Sequence, residues 1–163
     1  YWPDGKATPV LIAPSSGMNS SLKTAQQLNA QGHPVLVVEV RDTGETKTRT
    51  WRFPGADYYI AHMLGRCWLA MQAEDLLISA RWLQSQNKDK SVELQTEGEL
   101  GPAALHAATL EPALISELKL KESLNSWHEL MTSRNAFHHL HMAVQDGLSY
   151  YDLTDLDTLR SKK

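Results

Sequence analysis

The sequence has little of several features that would mark particular classes of protein. It contains one cysteine, Cys67, so no disulfide can form within the chain. No stretch approaches the roughly 20 consecutive apolar residues that a membrane-spanning helix needs. Lys and Arg total 16 against 19 Asp and Glu, a net charge of −3, so no excess of positive charge is available to bind phosphates. We therefore expect neither a nucleic-acid nor a membrane partner, and the composition leaves the cellular compartment open.

What is present is typical of one globular domain. A chain of 163 residues is long enough to bury a core without a disulfide or metal, and 42% hydrophobic with 21% charged residues excludes a disordered chain. No linker or repeat divides residues 1–163. Because the chain opens Tyr1-Trp2-Pro3, without an initiator Met or a signal-peptide pattern, we expect a fragment or accessory domain of a longer polypeptide.

Short apolar runs alternate with segments of helical period along the chain. The runs predict four strands, at 9–13, 35–40, 91–96 and 114–121. Between them the pattern predicts a helix at 21–31, two helices over 56–86 that meet near Gly65, and a small-residue helix from about residue 100. Strands separated by helices form a parallel sheet covered on both faces. The predicted fold is α/β, a three-layer αβα sandwich with a short parallel sheet.

Three segments resemble the α/β-hydrolase superfamily, and its acetyl-xylan-esterase-like members in particular. Residues 38–46 (VEVRDTGET) are similar to a loop with an Arg-Gly-x-Gly-Glu-Thr or Ser pattern, with Asp42 where the first Gly is usual. Residues 92–108 (VELQTEGELGPAALHAA) are similar to a strand, nucleophile elbow and following helix. Residues 120–127 and 150–156 are similar to the segment before the family's final strands. The resemblance implies a carbohydrate esterase architecture that needs no cofactor, with its final strands missing from this chain.

The elbow of such enzymes is G-x-S-x-G, a tight strand-to-helix turn that exposes the nucleophilic serine. Aligning on the helix start places Gly98 at the serine position, and glycine has no side chain that can attack a carbonyl. A shift by one residue places Glu99 there and Glu97 at the first glycine; a carboxylate nucleophile would form an anhydride with an ester. Serine occupies the elbow in neither register, so we interpret it as degenerate.

The other members of a catalytic triad are also missing from their expected places. The superfamily order is nucleophile, acid, histidine, whereas the last histidine here, His141, precedes Asp146 and every later Asp. Some related esterases place an acid at the position of Glu122, but the neighbouring Lys121 favours a surface ion pair.

Two groups near the predicted elbow have both a functional and a structural interpretation. Ser15, Ser16 and Gly17 follow the first strand, where these hydrolases build part of an oxyanion hole, but the same residues form an ordinary turn and helix cap, which we favour. Glu97 and Glu99 are either an acid pair in a cleft or solvated carboxylates that favour the positive end of a helix dipole, and we favour the second.

Histidine and tryptophan residues provide the remaining candidates. His138, His139 and His141 do not by themselves have the spacing of a zinc site. His138 and His141, at i and i+3, could complete one only with a third ligand from elsewhere, so we predict no metal. Trp51 lies in a long loop, where it can stack on a sugar ring or anchor the loop. Trp68 and Trp82 have helical spacing, and we expect both in the core.

The sequence supports two functional hypotheses. The first is a non-catalytic, accessory or degenerate α/β-hydrolase-like domain that pairs with another domain or chain across an open sheet edge and binds a carbohydrate ligand. The alternative is an active carboxyl-ester hydrolase acting on acetylated polysaccharide or small esters. It would use an unconventional device built on Glu99 or on Ser15 and Ser16, or residues outside this chain.

Overall fold

Strands and helices alternate along the chain and build one parallel sheet. The structure is a computed structural model and describes residues 7–47, 56–88, 90–132 and 136–162. The elements are β1 (Val10–Ala13), α1 (Leu22–Ala30), β2 (Val35–Val37), α2 (Ala56–Met63), α3 (Trp68–Gln86), β3 (Val92–Glu97), α4 (Gly101–Leu110), β4 (Ile115–Lys121), α5 (Trp127–Thr132) and α6 (Leu153–Ser161). All strand pairs are parallel, in the order β2-β1-β3-β4. The predicted α/β class, with helices on both sides of a short parallel sheet, is confirmed.

Strand β1 lies at the centre because its apolar run can be buried on both faces. Val10 and Ile12 pack with Val35 beneath α1, in a small core. Leu11 and Ala13 face the other way, into the main core that α3 and α4 cover. Alternation of side chains along one strand therefore links the two layers of helices.

The main core depends on close approach of α4 to the sheet. Its alanines are almost completely buried, which lets the helix backbone lie close to β3. Helix α3 contributes a stripe of buried residues with helical period: Leu69, Ala73, Leu76, Ala80 and Leu83. Trp68 is buried as predicted, but Trp82 is 49% exposed and lies outside this stripe, so its assignment to the core was wrong. None of the helices in the described residues is long and apolar enough to span a membrane.

The α1 face of the sheet is apolar over β1 and β2 but charged over β3 and β4. Pairing of Val10 with Glu93 and of Glu93 with Glu117 places these residues in one row on that face. Glu93 is only 5% exposed, and its Oε1 lies 2.5 Å from Lys119 Nζ. We expected helices to cover both faces of the sheet. On this face, α1 covers only β1 and β2, whose side chains facing the helix are aliphatic.

Candidate functional site

The predicted elbow and the loop after β1 meet at the carboxyl ends of β1 and β3. The chain leaves β1 toward β2 on one side and returns to β3 on the other, and in open α/β sheets ligands bind beside such a reversal of strand order. Ser16 Oγ donates to Glu97 Oε1 at 2.8 Å and lies 2.9 Å from Ser20 Oγ. The structure therefore brings together two of the residue groups that the sequence singled out.

The chain turns sharply from β3 into α4 at Gly98. Glu97 is extended, Gly98 has a φ of +62°, and a short 3-10 helix (Gly98–Leu100) leads directly into α4. This is the local geometry that a nucleophile elbow needs, because the residue at its tip must adopt a strained, left-handed backbone. A Cβ on Gly98 would lie 2.9 Å from Ser15 Oγ, so the Ser15 side chain fills the space of a side chain at the tip.

Beside the tip, Glu99 contacts two imidazoles from the 3-10 helix Ala136–Met142. Its Oε2 lies 3.4 Å from His141 Nε2, and its Oε1 lies 4.0 Å from His139 Nδ1. The hydrogen bond from His141 holds the pKa of Glu99 below its ordinary value, against the opposing effect of burial. Within the part of the chain that the structure describes, no group of three or more His, Cys, Asp or Glu could hold a metal ion, and the His138 side chain lies outside that part.

The loop after β1 is held by a carboxylate from the loop after β2. Glu39 Oε1 accepts from the backbone N–H of Met18, and Glu39 Oε2 accepts from that of Glu45, both at 2.7 Å. These two hydrogen bonds lower the pKa of Glu39. The N–H of Met18 directly follows the Ser15–Gly17 turn, for which an oxyanion hole was the less favoured of two interpretations, and an internal anion already occupies this donor.

Two positions of the β2 loop have left-handed backbone. Asp42 has a φ of +63°, and Gly44 has a φ of +50°. A side chain on Gly44 would collide with the Glu39 carboxylate. The loop therefore needs glycine at position 44 but adopts the left-handed backbone at position 42 with an Asp.

The two remaining candidates do not join this cluster. The Glu122 side chain is 81% exposed and contacts Lys121 Nζ at 3.9 Å, the ion pair that the sequence favoured. Trp51 lies outside the described residues, so the two interpretations of its role, a loop anchor and a sugar contact, both stay predictions.

The sequence does not identify the contacts that hold the surrounding elements together. Arg41 Nε donates to Asp75 Oδ2 at 2.7 Å and its Nη2 lies 2.5 Å from Asp75 Oδ1, which ties the β2 loop to α3. His106 Nδ1 lies 2.7 Å from the Pro102 carbonyl, so this nitrogen is the donor, and Nε2 accepts from the Tyr151 hydroxyl at 2.8 Å. Neither contact has a local sequence signal, because the partners are 34 and 45 residues apart.

Asp152 is the third such group and connects α5 with α6. Its Oδ1 accepts from the backbone N–H of Trp127 and of Leu153, both at 2.7 Å, and Ser126 Oγ donates to Oδ2 at 2.5 Å. An Asp before an apolar helical period does signal an N-cap at α6, but not the second helix start that it also caps. The segments 120–127 and 150–156 therefore meet in a structural contact. Comparison with models of known protein families and with curated proteins finds no match to this chain.

Proposed function

We propose that this chain is an α/β-hydrolase-like domain, similar to acetyl xylan esterases, that does not hydrolyse esters and serves as an accessory or degenerate domain. The observation that supports this proposal is the tip of the β3–α4 turn. Gly98 keeps the left-handed backbone of an elbow and presents no nucleophile there. Among the described residues, no hydroxyl of Ser or Thr and no thiol is hydrogen-bonded to an imidazole ring, which is the contact that activates a nucleophile.

The position of Glu39 supports the same conclusion from the electrostatic side. Acyl transfer needs backbone N–H groups that are free to bind the negative oxygen of a tetrahedral intermediate. Here the Met18 N–H binds the Glu39 carboxylate instead. A second negative charge beside that carboxylate would be repelled, so the loop in this arrangement opposes the transition state that it would have to stabilise.

In this role the cluster at the carboxyl ends of β1 and β3 binds a ligand without transforming it. Ser16, Glu97 and Glu99 present hydroxyl and carboxylate oxygens, which accept hydrogen bonds from the hydroxyls of a sugar. A carbohydrate is therefore the ligand class that we propose, and the exposed β4 side of the sheet is where we propose that a partner domain or chain packs.

One observation favours the alternative, an active carboxyl-ester hydrolase. Ser15 Oγ lies at the tip of the turn, where an elbow serine would place its own side chain, and the Glu99–His141 pair lies next to that turn. For Ser15 to act as the nucleophile, its hydroxyl would have to reach an imidazole. Among the described residues, the histidine rings with hydrogen bonds to hydroxyl or carbonyl groups bond to Thr8, Pro102 and Tyr151, and none bonds to Ser15.

Release of p-nitrophenol from p-nitrophenyl acetate separates the two functions. The accessory role predicts that the purified chain gives the buffer rate, and that S15A and E99Q give the same rate. Turnover above buffer that both S15A and E99Q abolish would establish the hydrolase and refute our proposal. S20A serves as the matched control, because Ser20 lies in the same loop but away from the tip.

A rebuilt elbow tests whether the missing serine alone explains inactivity. In the double variant S15G/G98S, the first change removes the hydroxyl that a side chain at position 98 would meet. We expect a folded and still inactive protein, because the imidazoles beside the turn, His139 and His141, contact Glu99. Ester turnover restored by the double variant would show that the remaining machinery is intact.

A further inference from the structure

The outer edge of β4 is unpaired within the described residues. Strand β4 ends the sheet order β2-β1-β3-β4, and with seven residues it is the longest of the four strands found there. An edge strand presents a row of backbone N–H and C=O groups that another strand can join. The strand that joins this edge must be complementary to β4 in its side chains.

The sequence of β4, ISELKLK, is complementary to itself in one antiparallel register. When two copies pair about Leu118, each Glu117 lies opposite Lys119 of the other copy, and Leu118 lies opposite itself. Opposite charges directly across an antiparallel pair stabilise it, and like charges destabilise it. Pairing about Glu117 or about Lys119 would place that residue opposite its own copy, so the register about Leu118 is the favoured one.

The exposure of the strand agrees with this register. Glu117 and Lys119 are exposed on one face of β4, while Leu120 remains 38% exposed on the other. On that second face, Leu118 and Leu120 line a groove of about 400 Å³ together with Asp157, Arg160 and Ser161 of α6. A strand added at the edge would cover apolar surface there and place a charged pair on the opposite face.

The groove also contains a donor that lacks an acceptor. Arg160 Nη1 is buried and has no hydrogen-bond partner in the part of the chain described by the structure. Burial lowers the pKa of Arg160, and nearby Asp157 opposes this effect. Because a buried unpaired donor is costly, an acceptor supplied from outside these residues would stabilise the groove.

We propose that β4 pairs antiparallel with β4 of a second copy of this chain, joining two four-stranded sheets into one. The proposal names the partner left open in the proposed function and rests on that function only for the choice of this edge. It does not require the turn at Gly98 to be inactive, since the positions that the test changes, 117 to 120, pair with residues 93–96 of β3, ahead of that turn. Esterase turnover and oligomeric state therefore test the two proposals separately.

Charge exchange provides a direct test by sedimentation analysis over a range of micromolar concentrations. Wild type is expected to dimerise reversibly. E117K and K119E each place two like-charge pairs across the edge and should weaken dimerisation about ten-fold or more. E117K retains the Lys119–Glu93 ion pair within each copy. An equimolar mixture of E117K with K119E restores opposite charges at both pairs and should form the heterodimer. K23E, on the exposed side of α1, is the control and should dimerise like wild type.

Cross-linking checks the register by a second readout that does not depend on K119E folding. In a C67S background under an added oxidant, L118C should form a disulfide-linked dimer, because position 118 lies opposite itself. L120C lies opposite Ser116 and should remain uncrosslinked. Three results would overturn the proposal: a wild type that stays monomeric at every concentration, an E117K dimer as tight as the wild-type dimer, or equal cross-linking at positions 118 and 120. If β4 instead pairs with a strand of another protein, the wild type alone should stay monomeric.

Discussion

Removing the Asp152 side chain should destabilise the domain through two helices at once. One carboxylate caps the start of α5 through Trp127 and of α6 through Leu153. Loss of an N-cap costs about 1 kcal/mol. We therefore expect D152A to lower the free energy of unfolding by about 2 kcal/mol, or the melting temperature by roughly 4–8 °C for a chain of this size.

Graded variants show whether the carboxylate acts as the geometry indicates. D152N keeps Oδ1, which accepts from the N–H groups of Trp127 and Leu153. It replaces Oδ2, which accepts from the Ser126 hydroxyl and, at 3.4 Å, from the His128 N–H, so we expect it to cost about half as much as D152A. D157N removes a carboxylate from the same helix that receives none of these bonds, and serves as the control. Urea unfolding followed by circular dichroism measures all three. The double-cap reasoning is refuted if D152A and D157N unfold within about 0.5 kcal/mol of each other.

The pH dependence of the same contact has a defined sign. Burial alone would raise the pKa of Asp152, but hydrogen bonds from Ser126 and from the backbone of Trp127, Leu153 and His128 outweigh it and lower the pKa below its ordinary value of 3.8. Stability from this group is therefore present above that value and is lost as the pH falls through the folded-state pKa. The difference between wild type and D152N should shrink over that acidic range.

The Arg41–Asp75 pair and His106 give two further predictions. R41A should lower the free energy of unfolding by about 1–3 kcal/mol, because it removes a bidentate, partly buried contact with Asp75. The control R66A removes an exposed ion pair and should cost less than about 0.5 kcal/mol. Equal losses of the two variants in urea unfolding would contradict this prediction. Burial lowers the pKa of His106 from 6.5, so the folded state binds fewer protons, and stability should fall as the pH drops below that value. H106Q should flatten this dependence in melting curves between neutral and mildly acidic pH, whereas Y151F should leave its sign unchanged.

The order of strands and helices was predictable because it depends on local patterns. The aliphatic run of β1 has no polar residue to place outward, so burial on both faces is its only stable position. The break between α2 and α3 was predicted from Gly65, which has a φ of +70°. Strand β2 is shorter than predicted, ending at Val37, because Glu39 turns away to bind the loop after β1.

The candidate site was predictable in its location but not in its contacts. Alignment on the helix start placed Gly98 at the tip, and the structure has the expected left-handed turn there. That Ser15 fills the tip and that Glu39 binds Met18 depends on how two loops from different strands pack together. No pattern within a single segment contains that information.

The thin apolar layer beneath α1 determines which part of the molecule opens most easily. This helix has no buried residue of its own, and its cover over the sheet is limited to a few aliphatic contacts with β1 and β2. Local detachment of α1 would cost less than opening the α3–α4 side, because few buried apolar contacts hold this helix. The turn that contains Ser16 and Met18 would stay in place, because Ser16 Oγ donates to Glu97 and the Met18 N–H donates to Glu39. The helix can therefore open while this turn and the main core remain intact.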